Sequence, residues 1–379
     1  MSAWDIPLFD LDYGDEEISA AAAVFRSQWL TMGERIQVFE SEFAALCGVP
    51  HAIAMNNCTA GLHAAYVASG VKSGDEVIVP SLTFVATVNT VIAAGARPVF
   101  ADIVGPADLS ISPESVERAI SPRTKAIAVL HYAGFPCAIE EIRDIADRKG
   151  LALVEDCAHA PGASHRGRAL GAWGDAGAFS FFSNKNLSTG EGGMVVTRDD
   201  DVARKLRLIR SHGMTTGTLD RHKGHAFTYD VLLPGYNYRM DEVHAALGSV
   251  QLAKLATKNE RRRTLTEQYR MLVRTRLPDV GVPFACIPLG DASCHIFVVL
   301  LPIGTDRPAV MKKLAAERIQ SSVHYPPSHQ FSYYRDAYPG LSLPHTDAVA
   351  ARILTLPLFP GMSTAQVERV VEVLGHSLQ

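Results

Sequence analysis

Lys185 stands in the stretch AGAFSFFSNKNLSTGEGG, between two apolar runs, residues 176–182 and 194–197. A lysine between buried strands is costly to keep charged, and once neutralised by its surroundings its amine is a nucleophile able to form a Schiff base with a carbonyl. On an exposed hairpin tip the same residue would do nothing. A second candidate, Asp156, ends the apolar strand 151–154 in the run EDCAH. A carboxylate there loses solvation unless a cation or several donors face it; the competing reading is a helix N-cap. The turn NNCTAG, residues 56–61, leads into a helix whose free N–H groups, with the Thr59 hydroxyl, form an anion site suited to phosphate, or else a plain cap. Ser180 lies five residues before Lys185, so a hydroxyl and an amine are placed to reach opposite ends of one molecule. Phe84, after the Pro80-Ser81 break, offers a ring face or a core side chain.

One cofactor uses all five features. Pyridoxal phosphate needs an amine for its aldehyde, a carboxylate for its ring nitrogen, a phosphate cup and a flat face. The carboxylate keeps the pyridinium protonated, so that the ring acts as an electron sink.

The elements that must position these residues follow an α/β pattern. Apolar or β-branched runs at 52–55, 75–80, 98–102, 125–131 and 151–156 read as strands, with helices expected at 62–69, 83–94, 113–120 and 139–149. In a largely parallel sheet, ligands bind beyond the carboxyl ends of the strands, where the candidates lie. Before this unit come an extended arm (1–15), carrying Trp4, Ile6, Leu8 and Phe9 for packing on another subunit, and helices at 16–27 and 36–46. After it, a helix at 200–211 precedes a polar stretch without clear period; helices at 241–257 and 259–277 follow, with Arg261, Arg262 and Arg263 expected in solvent. Strand 295–301, helix 307–318, strand 321–324 and helix 364–374 complete a smaller α/β unit. The expected division is 1–250 for arm and large domain and 251–379 for the small domain.

The 379 residues carry a net charge of −4 with no block of like charges, which excludes an electrostatic case for nucleic acid or a membrane surface. The six cysteines are scattered, with neither C-x-x-C nor zinc spacing, so no metal is expected. The acidic amino terminus lacks signal-peptide character, and no run approaches a bilayer span; a cytoplasmic enzyme with a small-molecule substrate is expected.

The blocks QWLTMGE, NNCTAGLH, GDEVIVPSLTFVAT, EDCAHAPGA, GDAGAFSFFSNKN, GYNYRMDE, HYPPSH and LPLFPGMS, spread from about Ile6 to Ser363, resemble the DegT/StrS nucleotide-sugar aminotransferases of the fold type I pyridoxal-phosphate enzymes. The resemblance implies a large domain with a mostly parallel mixed sheet flanked by helices, and a smaller C-terminal α/β domain. It implies Lys185 as the Schiff-base lysine, Asp156 at the pyridine nitrogen, Ser180 with Thr59 and Ala60 at the phosphate, and Phe84 stacked on the ring. His159, where many relatives have glutamine, would lie near the cofactor's 3-hydroxyl. It further implies a homodimer with active sites at the subunit interface, Asn237 reaching the other subunit's phosphate. Cys58, glycine in many relatives, would narrow the phosphate turn.

The implied reaction is ping-pong transamination through pyridoxamine phosphate, from L-glutamate to the 4-position of a dTDP- or UDP-linked 4-keto-6-deoxyhexose. A sugar 3-aminotransferase, a keto-cyclitol aminotransferase and a non-catalytic regulator of the same fold are the alternatives. A related 3-dehydratase carries histidine in place of the lysine, so Lys185 argues against it. Loops such as 214–227 would choose the sugar.

Overall fold

Short apolar runs alternate with helices from His51 to Thr197, and seven of them become the strands of one sheet. A computed structural model describes residues 4–216 and 228–379. Among these, the strands of the large sheet are β1 (His51–Met55), β2 (Glu76–Pro80), β3 (Arg97–Ala101), β4 (Thr124–Leu130), β5 (Ala152–Asp156), β6 (Ala176–Ser180) and β7 (Gly193–Thr197). Their spatial order is β1-β7-β6-β5-β4-β2-β3. Strands β6, β5, β4, β2 and β3 pair in parallel, whereas β7 is antiparallel to both β1 and β6. Helices cover both faces, which is why the strands read as continuous apolar runs.

Alternation along the strands divides the core. Ile53, Met55, Val77, Val79, Val154 and Val195 pack toward helices Cys58–Ala68, Ala86–Ala93 and Asp200–Arg210. Phe179, Met194 and Val196, with Ile78, Ile127 and Leu153, pack on the other face. There Phe39 and Phe43 of helix Glu34–Cys47 meet Phe179 and Phe181, with ring centroids 4.9–5.4 Å apart across the two elements. Each such buried ring contributes roughly 2–3 kcal/mol, and together they hold the strand that leads to Lys185. Helix Glu34–Cys47 starts at Gly33, which has no side chain to cap it. Glu242 supplies the cap from afar, accepting from the N–H groups of Gly33, Arg35 and Ile36 at 2.8, 3.0 and 3.1 Å.

Two expectations about the second half change. The helices expected at 241–257 and 259–277 are one, Glu242–Arg276, continuous through residues 250 and 251 where the domains were divided. No Gly or Pro interrupts the sequence near Lys258, and a single buried stripe including Ala246, Leu255, Arg262, Leu265 and Tyr269 runs its length. The C-terminal core forms around antiparallel strands Phe297–Leu300 and Ile353–Leu356. The expected strand 321–324 shrinks to one antiparallel bridge, Ser322 to Thr355, on strand Ile353–Leu356.

The arm and the arginines also differ from expectation. Ile6 is 1% exposed and bridges Ile319 of its own chain, with the N–H groups of Asp5 and Ile6 donating to Arg318 O, so the arm packs at home at this point. Arg262 is buried instead of solvated: its Nη1 donates to His295 O at 3.0 Å and Leu358 O at 2.9 Å, tying the long helix to two C-terminal segments. Burial draws its guanidinium down to about 10. The part of the 214–227 loop at 217–227 lies outside the described residues.

Arg262→Ala is expected to lower unfolding free energy by about 2–4 kcal/mol, since two buried carbonyls lose their donor and a cavity opens. Guanidinium titration checks this. A loss below about 0.5 kcal/mol would place the clamp outside the stabilising core.

Candidate active site

The carboxyl ends of β1, β5 and β6 lie together because β7, entering from the same edge, pairs Gly193 with Met55 on one side and Ser180 on the other. Only glycine fits there: a Cβ on Gly193 would stand 2.6 Å from Asn57 C and 2.7 Å from Cys58 N. The close approach presses the turn after β1 against the turn after β6. Between them opens a cavity of about 280 Å³, lined among others by Thr59, Phe84, Asp156, His159, Ser180 and Lys185.

Asp156 ends β5 at 3% exposure, its side chain opposite in sense to that of Glu155. Glu155 faces away and is saturated, taking His131 Nε2 at 2.8 Å and the N–H groups of Gly171, Trp173 and Gly174 at 2.8, 2.8 and 2.5 Å. With Cys157 and His131 it makes the one cluster of potential metal ligands among the described residues, and these hydrogen bonds give it a scaffolding task, anchoring the 171–174 loop. Asp156 is supported more sparsely, by Thr87 Oγ1 at 2.6 Å on Oδ2 and Ala158 N at 3.0 Å on Oδ1. Thr87 is itself paired with Thr83 at 2.8 Å. Burial pushes the Asp156 carboxyl up, with Thr87, the Ala158 N–H, Lys185 and His131 pulling the other way. A cation in the cavity would settle the carboxylate in its charged form.

Lys185 is half-buried in the turn after β6. Desolvation draws its amine down to about 8, against the opposing pull of Asp156 and Cys58. The consequence is large: at pH 7 the free-base share rises from roughly 0.03% for an ordinary lysine to about 10%. Cys58 moves the other way, its thiol pushed well up by burial and by Asp156, so it is a neutral wall of the cavity.

At the opposite side, helix Cys58–Ala68 begins at Asn57, whose Oδ1 takes the Ala60 N–H at 2.8 Å. That leaves the Cys58 and Thr59 N–H groups without intrahelical partners, beside the Thr59 and Ser180 hydroxyls, as donors for an anion. Ala60 is spent on the cap and is not among the residues lining the cavity. Phe84 presents its ring, 56% exposed, 5.8 Å from that of Tyr325.

His159 carries a proton whose position follows from its neighbours. Its Nδ1 accepts the Ala133 N–H at 3.2 Å, so the neutral ring holds its hydrogen on Nε2, which donates to Tyr325 Oη at 2.7 Å. Burial, then Lys185 and His324, holds His159 well below its usual range and keeps it neutral. Asn237 is not brought to this cavity: it is exposed and bridges Ser211 at the surface.

The sequence reading missed Asn184, Glu191, His324 and Tyr325, which also line the cavity, and Thr87, which holds Asp156. The HYPPSH block contains His324 and Tyr325, and the block ending in VAT contains Thr87, but neither carries a spacing that announces its target.

This donor set, an amine of lowered basicity, a buried carboxylate wanting a cation, an N–H and hydroxyl cup, and an exposed ring, fits pyridoxal phosphate. The profile of the DegT/DnrJ/EryC1/StrS aminotransferase family matches residues 12–375. Among solved structures, the chain is similar to Helicobacter pylori PseC, an aminotransferase involved in the biosynthesis of pseudoaminic acid, with TM-score 0.91, 28% identity and 99% of each chain covered. It is similar to S. venezuelae DesV in complex with ketimine intermediate, with TM-score 0.90, 35% identity and 99% of this chain and 98% of that one covered. DesI, solved in the presence of its TDP-sugar product, gives TM-score 0.87 and 34% identity over 99% of this chain and 94% of that one.

In cofactor-free enzyme, an amine-directed reagent such as trinitrobenzenesulfonate should label Lys185 with half-maximal rate near pH 8, the free base dominating above that value. Peptide mapping across pH 6–11 checks this. A midpoint near 10.5 would mean that the cavity does not desolvate the amine.

Proposed function

The chain belongs to the DegT/DnrJ/EryC1/StrS aminotransferase family, as a pyridoxal-phosphate-dependent sugar aminotransferase, and from that premise we propose that it moves an amino group from L-glutamate to the 4-position of a dTDP- or UDP-linked 4-keto-6-deoxyhexose. The observation that carries the reading is the convergence of Lys185, Asp156, Ser180, Thr59 and Phe84 on one cavity. A nucleotide-linked acceptor is favoured by the likeness to DesI, solved with its TDP-sugar product. The 4-position rests on the resemblance: with His159 where many relatives have glutamine, the pattern is closer to that of enzymes aminating the 4-position than to that of 3-aminases.

In this reading Lys185 holds the cofactor aldehyde, Asp156 the pyridine nitrogen, and Ser180, Thr59 and the adjoining N–H groups the phosphate, while Phe84 covers the ring. Ala60 joins the phosphate cup only if its N–H is shared with Asn57. Bound there, the cofactor supplies an electron sink for the carbanion left when a substrate carbon loses its proton. Once released from the aldehyde, Lys185 Nζ would take that proton and return it; in the cofactor-free cavity desolvation draws this amine down to about 8. Thr87 and the Ala158 N–H keep Asp156 aimed into the cavity. His159, neutral and proton-bearing on Nε2, places Tyr325 Oη with its own hydrogen free to donate toward a bound oxygen. Asn237, exposed on its own chain, would serve the site of a second copy in a homodimer.

The test is a glutamate-dependent assay against dTDP- and UDP-linked 4-keto and 3-keto sugars and keto-cyclitols, with the position of the new amine read by NMR. Amination at C4 is expected. Amination only of 3-keto sugars, or only of a cyclitol, would replace the acceptor assigned here, and no turnover with any panel member would favour a regulator. Lys185→Ala should lower turnover by at least about a thousandfold, a size that loss of proton transfer alone can reach.

A further inference from the structure

We propose that Asn186 is a positioning residue: its buried amide ties the turn carrying Lys185 to Ser293 and His295, and through them to the wall carrying His159, and so sets where the reacting amine stands. The inference rests on Lys185 being the reacting amine and adds what holds it in place.

Asn186 follows Lys185 directly and is 3% exposed. Its amide spends its hydrogen-bonding capacity on segments far away in the chain. Nδ2 donates to Asn259 Oδ1 of the long helix and to Ser293 O, each at 2.8 Å, and Oδ1 stands 2.9 Å from His295 Nδ1. Because both Nδ2 hydrogens have acceptors, the orientation of the amide follows, and His295 carries its hydrogen on Nδ1 to give to Oδ1. Burial, then Lys185, holds His295 well below its usual range, in keeping with a neutral ring. The other side of the lysine is held less firmly. The Lys185 N–H reaches Phe182 O at 2.9 Å, while Asn184 Oδ1 is buried without a partner among the described residues. The turn is therefore anchored from Asn186.

The partners of Asn186 also hold His159. Ser293 Oγ donates to His159 O at 2.6 Å, Asn259 Nδ2 donates to Pro161 O at 2.9 Å, and the His295 N–H donates to Ala133 O at 2.9 Å, next to the Ala133 N–H that His159 Nδ1 accepts. Glycine makes this crossing possible: a Cβ on Gly134, whose φ is +87°, would overlap Ser293 Oγ and stand 2.7 Å from His159 O. Cys294, between Ser293 and His295, takes a φ of 48°, a strained conformation for a residue with a side chain. A buried polar network is rigid when every member is satisfied, and loses that rigidity when one is removed. This one reaches the cavity on both sides, at Lys185 and at His159. The charged form of Lys185 helps hold His159, His295 and His324 below their usual range, so its amine lies close to rings that the network fixes. Released from the network, the turn lets the amine move away from those rings and into water.

Labelling of Lys185 by trinitrobenzenesulfonate in the cofactor-free full-length chain, mapped by peptide across pH, reads the amine without turnover. The titratable groups that face the amine are Asp156, Cys58, His159, His295, His324 and Glu191, and Asn186→Ala replaces none of them. In that variant the midpoint is expected to rise from about 8 by about one unit or more toward 10.5, as the released amine is solvated. A cooperative guanidinium transition shows that the variant is folded. In the cofactor-loaded enzyme, kcat should fall on the order of a hundredfold with KM for glutamate little changed. Deuterium at the glutamate α-carbon should slow turnover more than in the wild type, because a displaced amine makes proton transfer the slow step. His295→Phe keeps a ring and removes the Nδ1 donor; it should move the midpoint in the same sense by less, and it decides the matter if Asn186→Ala does not fold. A midpoint equal to that of the wild type would overturn the proposal and leave Asn186 a residue of the scaffold only, whether or not sugars are aminated. A wild type that turns over no glutamate would remove the donor from the proposed function, while the labelling midpoint still judges Asn186.

Discussion

A carboxylate and an amine held out of water at one strand edge are the constraint from which the rest follows. Asp156 and Lys185 each lose solvation on folding, and each shifts toward its neutral form, the carboxyl upward and the amine to about 8. Their mutual attraction offsets only part of that cost. The protein carries it because parallel strands with helices on both faces leave their carboxyl ends as the one edge where polar groups from several strands meet. The antiparallel β7 tightens that edge. By bringing Gly193 between Met55 and Ser180, it lets the anion-binding turn and the lysine turn share a wall.

Support for the pair is uneven, and the unevenness has chemical meaning. Glu155, one residue before Asp156, is satisfied on every side and serves the scaffold. Asp156 keeps two donors and an open side toward the cavity. The same contrast separates buried Arg262, whose hydrogen bonds go to backbone carbonyls, from Lys185, whose surroundings lower its basicity without occupying it. Neutral His159 and Tyr325 complete a wall that adds no charge to the site.

How much of this could be read in the chain varies with the range of the interaction. Strands of the large sheet were legible to within a residue or so, since burial on both faces leaves continuous apolar runs; β5 was expected at 151–156 and is Ala152–Asp156. Local chemistry was legible too: Lys185, Asp156, Ser180, Thr59 and Phe84 do line one cavity. Interactions between distant segments were not. Thr87 reaches Asp156 across 69 positions, Glu242 caps a helix about 207 positions away, and Ile6 pairs with Ile319. Arg262 shows the same limit, because its neighbours Arg261 and Arg263 make the triplet look like a solvated face while the helix turns the middle residue inward. Asn237 was assigned by likeness alone, and a single chain leaves it at the surface.

The central claim is that Lys185 forms the covalent link to the cofactor opposite Asp156. Borohydride reduction of the cofactor-loaded enzyme, followed by peptide mass mapping, tests it most directly. The account predicts a single pyridoxyl modification, on the peptide containing Lys185, and its loss when glutamate is added before reduction. Modification of a different lysine, or none at all in enzyme that is active, would contradict it.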